Sequence, residues 1–135
     1  VGTDQLAPSV VGGAQGNESG GAIGGHVVVA ADYVDHEAPP GSPVGPDGAN
    51  AVLRWLRNAF DDLSYEIHDA FADGDRVAIR LTSRGTHTGE FMGKPPTGKR
   101  FESEAIHLFR VENGKLAEHW AKRDDLGMAR QLGLF

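Results

Sequence analysis

The sequence predicts a single α+β domain in which a helix precedes a meander of antiparallel strands. Three observations predict it: one early stripe of apolar residues at helical spacing, two-residue alternation in four later runs, and an Asn-Gly turn between the last two runs. A chain of 135 residues suits one domain with its own core.

Residues 1–31 form an atypical Gly-rich N-terminal segment holding eight of the 19 glycines, with the body of the domain at residues 32–135. Each glycine costs about 1 kcal/mol against alanine inside a helix, so this composition does not favour a stable one. The Gly20-Gly21-Ala22-Ile23-Gly24-Gly25 run has neither the preceding strand nor the following lysine of a phosphate-cradling loop. A divergent tail and translation in a displaced reading frame both account for such a segment.

Residues 32–36 read as a short strand or turn, followed by a Pro/Gly loop to about residue 48 at the surface or at a cavity mouth. A helix over residues 47–60 starts at Pro46-Asp47 and carries Val52, Leu56, Ala59 and Phe60 on one side, with Trp55 broadening that stripe. Residues 64–72 alternate Tyr65, Ile67 and Phe71 against Glu66 and His68, and Asp73-Gly74-Asp75 makes the next turn. Over residues 76–86, Val77, Ile79, Leu81 and Ser83 share one face. That period of two marks a half-buried antiparallel strand. After an irregular connection at residues 89–99, strands over residues 104–111 and 115–122 flank Asn113-Gly114, the strongest short-range hairpin signal. Pleating puts His107, Phe109 and Val111 on one face and His119, Ala121 and Arg123 together on the neighbouring strand. A short helix follows.

Several functions are disfavoured. A formal net charge of −6 with scattered basic residues argues against a nucleic-acid partner. Cysteine is absent, which removes thiol nucleophiles and thiolate metal sites. The six histidines lack His-x-x-x-His or His-Glu-x-x-His spacing, so no metal site is expected. No apolar run approaches the roughly 20 residues of a membrane span, and no basic-then-apolar leader opens the sequence, so a cytoplasmic protein is expected.

Asp32-Tyr33-Val34-Asp35-His36, Gly85-Thr86-His87-Thr88-Gly89-Glu90-Phe91, Gly93-Lys94-Pro95-Pro96-Thr97-Gly98-Lys99, Ala105-Ile106-His107-Leu108-Phe109-Arg110, Glu118-His119-Trp120 and Asp125-Leu126-Gly127 occur in consistent order. Together they resemble the SnoaL-like polyketide cyclase family. The resemblance implies a nuclear transport factor 2-like cone, a curved antiparallel sheet with helices enclosing an apolar cavity. In such cyclases a histidine at the position of His107 assists an acid/base aspartate on the next strand. Here that position is Ala121, whose methyl moves no protons.

Two repairs follow from this departure. Asp124, or less readily Asp125, supplies a carboxylate from the strand end with Arg123 as partner, although an adjacent cation weakens an aspartate as a base. Alternatively, the Trp120-Ala121-x-Arg123-Asp124-Asp125 string is closer to the family's hydroxylating branch, which is narrowly favoured. The catalytic candidates are therefore His107, Arg123 and Asp124, and the substrate-binding candidates are Asp35, Phe91, Met92, His119 and Ala121. The expected ligand is a planar polycyclic polyketide of anthracycline type. No bound cofactor is expected, hydroxylation would call on an external reductant or reductase partner, and Trp120 suggests a homodimer contact. Aldol cyclisation using His107 and Asp124, and non-catalytic ligand binding, are the alternatives.

Overall fold

The computed structural model describes residues 28–135. Strands β1 (Val29–Asp35), β2 (Ser64–Asp73), β3 (Arg76–Thr86), β4 (Arg100–Glu112) and β5 (Lys115–Arg123) make one sheet, accompanied by helices α1 (Gly45–Ala59) and α2 (Asp125–Leu132). The strands lie in the order β1-β5-β4-β3-β2. The expected boundary after residue 31 falls within β1, and the rest of the Gly-rich segment, residues 1–27, lies outside the described residues.

The four alternating runs pair antiparallel in sequence order, as their period predicts. β1 departs from the all-antiparallel expectation by pairing parallel with β5. A parallel neighbour needs a long connection, and α1 with three strands intervenes here. Asn113 (φ 53°) and Gly114 (φ 75°) both occupy the positive-φ region that a type I′ turn requires. The turn fixes a register in which His107 faces Ala121 and Phe109 faces His119. Irregularities between Ile67 and Asp69 and between Arg110 and Val111 interrupt the ladders. Extra residues of this kind bend and twist a sheet.

One face of the sheet carries the core: Tyr33, Val77, Ile79, Leu81, Ala105, Phe109 and Leu116 cluster with Ala49 of α1. Burying each large apolar side chain contributes about 1.5–3 kcal/mol. A second cluster joins Phe60, Phe91, Phe101 and Leu132. It fastens α2 and the irregular connection to the end of α1, where the Thr88 and Gly89 amides both donate to the Ala59 carbonyl at 2.9 and 3.0 Å. At the other end of α1, a side chain on Gly48 would run into the Pro43 carbonyl oxygen. The loop before the helix therefore lies directly against it. No described helix is long and apolar enough to cross a membrane.

Candidate active site

Strands β1, β5 and β4 bring Asp35, His119 and His107 to the core face. Asp35 ends β1 opposite His119 of β5, and His107 of β4 faces Ala121, two residues beyond His119. Asp35 Oδ1 lies 2.8 Å from His119 Nδ1, and His119 Nε2 lies 2.7 Å from His107 Nδ1. The two imidazole planes are 9° from parallel, and Phe109 packs against His119 with ring centroids 4.7 Å apart. The backbone amide of Glu37 also donates to Asp35 Oδ1 at 2.9 Å. His107 Nε2 forms no hydrogen bond among the described residues.

Electrostatics assign the protons. Burial pushes the Asp35 pKa up, but the hydrogen bond and charge of His119, the Glu37 amide and the Arg123 guanidinium together bring it below the usual carboxylate range. Asp35 is then a carboxylate that accepts from His119 Nδ1–H. In neutral His119, Nε2 is left as an acceptor, so His107 Nδ1 must donate and His107 Nε2 carries a lone pair. Burial above all, with His119 and Arg123 close by, lowers the His107 pKa to about 3, while the Asp35 carboxylate partly opposes them. His107 is thus a neutral imidazole at physiological pH. One further proton at Nε2 reverses the inner bond: Nδ1–H passes to His119, whose positive charge then rests beside Asp35, and His107 Nε2–H becomes a donor. No heavy atom has to move between the two states.

The other sequence candidates are distributed differently. Arg123 follows Ala121 on the same face, with Nε 3.2 Å from Asp125 Oδ1 and Nη2 3.7 Å from Glu37 Oε1. Asp124 caps α2, its Oδ1 accepting from the Gly127 amide at 2.8 Å. Its carboxylate is engaged in holding the helix start, as an N-cap aspartate does. Phe91 is buried in the second aromatic cluster beside Phe60 and Trp55, and Met92 is an exposed turn residue at φ 52°. Ala121 is buried opposite His107, as the alternation implied. Sequence reasoning placed His107 and His119 on faces that could meet and took Asp35 as a substrate contact, without joining Asp35 to the histidines. The joining depends on a β1–β5 contact between residues 84 apart, which no local pattern reports. Among the described residues, no group of three or more His, Asp or Glu side chains is arranged to hold a metal ion.

The profile of the SnoaL-like polyketide cyclase family matches residues 23–132. Aklanonic acid methyl ester cyclase DnrD of Streptomyces peucetius is 39% identical over 90 residues, 66% of this chain, and the aligned part spans only 62% of that relative's length. Among solved structures, IdmH of Streptomyces antibioticus, assigned as a polyketide cyclase, has 35% identity and a TM-score of 0.78, covering 96% of this chain and 99% of its own. AclR of Streptomyces galilaeus, assigned as a hydroxylase, has 28% identity and a TM-score of 0.75, covering 98% and 96%.

Proposed function

The chain belongs to the SnoaL-like polyketide cyclase family, and from that premise we propose that it is an enzyme closing a ring in an aromatic polyketide intermediate by intramolecular aldol addition. The observation that carries this reading is the hydrogen-bonded chain Asp35–His119–His107, which ends at a nitrogen unpartnered among the described residues. His107 Nε2 takes a proton from the substrate's activated C–H, flanked by carbonyl groups. The carbanion so formed attacks a ketone carbon of the same molecule, and the resulting alkoxide takes the proton back from Nε2–H. Atoms and charge balance without a co-reactant. General acid–base transfer of this kind contributes about 10²–10⁴-fold in rate.

Asp35 is what makes Ala121 tolerable. It meets the imidazole pair across β5 from the other side, in the β1–β5 register that sets Asp35 against His119. The carboxylate thus stabilises positive charge on His119 without touching the substrate carbon. The preference for hydroxylation drawn from Ala121 is not supported by the curated relative's activity, since DnrD is named a cyclase. AclR supplies the observation on the other side, and that chemistry would require an external reductant and oxygen.

Incubating the protein with an aromatic keto ester bearing a pendant ketone tests the reading. The expected product is a new ring at unchanged mass, or at the mass less one water. A gain of one oxygen would replace cyclisation with hydroxylation, and binding without turnover would make the protein a carrier.

We also propose a homodimer formed through the sheet face opposite the core. Ile106 and Phe71 are exposed there, among alternating pairs such as Arg80–Asp69 and Arg84–Glu102. A two-fold interface uses the same patch on both copies, so a face of mixed charges can meet its opposites there. A monomeric mass by sedimentation at micromolar concentration would contradict it.

A further inference from the structure

Tyr33 carries a polar atom that the fold itself does not use. Its side chain is 2% exposed and packs in the main apolar cluster with Ala49, Ile79 and Phe109. Its hydroxyl is buried and has no hydrogen-bond partner among the described residues. Phenylalanine would fill the same space without the penalty of an unsatisfied buried hydroxyl. Strand alternation puts Tyr33 on the core face with Asp35, two residues before the carboxylate that anchors the imidazole chain. Tyr33, Asp35 and Ala49 also line one cleft of about 220 Å³, with Pro39 and Pro43 among its other walls.

The character of the hydroxyl narrows what it can meet. Burial, reinforced by the negative charge of Asp35, raises the Tyr33 pKa, so the phenol stays protonated and able to donate. The same negative charge disfavours a carboxylate at this position. A neutral oxygen acceptor meets both conditions. Asp35 Oδ1 is already shared by His119 and the Glu37 amide and does not partner the phenol.

We propose that Tyr33 is a substrate-positioning contact whose hydroxyl donates to a neutral ketone or quinone oxygen of a ligand entering the cleft at the Asp35 end of the Asp35–His119–His107 chain. This rests on the ring-closure reading for the identity of the ligand, and it specifies which oxygen chemistry the site selects. The hydroxyl is retained because it discriminates: a ligand lacking that oxygen leaves the phenol unsatisfied, and one bearing it does not.

The test is Tyr33→Phe in the full chain, with anthraquinone and anthracene as paired probes of nearly equal outline. Wild-type protein is expected to bind anthraquinone more tightly than anthracene by about tenfold, the effect of satisfying one buried group. The variant is expected to lose that preference while binding anthracene as before, and its thermal midpoint should stay level or rise. A merely structural tyrosine would leave the preference intact or weaken both probes alike. Either result overturns the proposal, as does a fall in midpoint or a wild-type protein that shows no preference. Turnover of the keto ester, followed separately, reports on ring closure. A protein that discriminates the probes but closes no ring would sink that reading and leave the Tyr33 contact standing.

Discussion

Two histidine–carboxylate pairs of equal length sit back to back on the sheet. The parallel β1–β5 contact sets Asp35-His36 beside Glu118-His119, and alternation sends one pair to each face. Inside, His119 Nδ1 and Asp35 Oδ1 are 2.8 Å apart with side chains 9% and 13% exposed. Outside, His36 Nε2 and Glu118 Oε2 are also 2.8 Å apart, but 40% and 25% exposed. The outer pair leads to Arg110, 2.7 Å from Glu118, with Trp120 stacked on His36. The inner pair leads to a second imidazole whose Nε2 has no partner among the described residues. Distance alone does not separate them. Burial and the identity of the third partner do: the outer chain ends in a permanent cation that cannot accept a proton, the inner one in a base.

The largest effect that would sharpen this contrast lies at the inner chain. His107→Ala should lower kcat for ring closure by about 10³-fold, within the range for loss of a general acid–base group, with the fold retained. Asp35→Asn should cost about 10²-fold, the low end of the range for acid–base transfer, because it removes the charge that holds the His119 tautomer and stabilises its protonated form. Steady-state kinetics on the keto ester check both. If Asp35→Asn left kcat unchanged while His107→Ala abolished it, His107 would act alone and the chain would be a packing feature.

Stability against pH gives the next effect. The unfolded His107 binds a proton near pH 6.5, the folded one only near 3. Between those values the unfolded state holds more protons, so stability is full above about pH 6.5 and declines as pH falls toward 3. Asp35, lowered as well, extends the loss into the acid below the normal carboxylate range. Thermal midpoints from pH 8 to 4 should show the decline, and His107→Leu should flatten it.

The smallest effect belongs to the outer face. Glu118→Gln removes the carboxylate shared by His36 and Arg110, leaving Arg110 with Glu112, yet turnover should be unchanged and the midpoint nearly so, since exposed ion pairs contribute little. A large loss of activity there would erase the distinction between the faces.

Much of this architecture was legible in the sequence. Asn113-Gly114 and the flanking alternation specified the hairpin and placed His107, His119, Ala121 and Arg123 on faces that meet. The pairing of Asp35 with His119 was not legible, because it depends on a parallel contact between strands separated in sequence by α1 and three further strands. Asp124 illustrates the opposite difficulty. An aspartate at a strand-to-helix junction has the same sequence signature whether it caps a helix or faces a ligand, and the cap shows only in the bond from the Gly127 amide. Phe91 and Met92 sit in a connection without a period, so their directions could not be read; one turns into the second cluster and the other outward.

The proton positions on the two imidazoles test the account most directly. Nitrogen-15 NMR of histidine-labelled protein at pH 7 should show His119 protonated at Nδ1 only and His107 protonated at Nδ1 only, with His107 Nε2 carrying the lone pair. A proton on His107 Nε2 at that pH, in either the neutral or the charged ring, would leave no base facing the substrate and would contradict the mechanism.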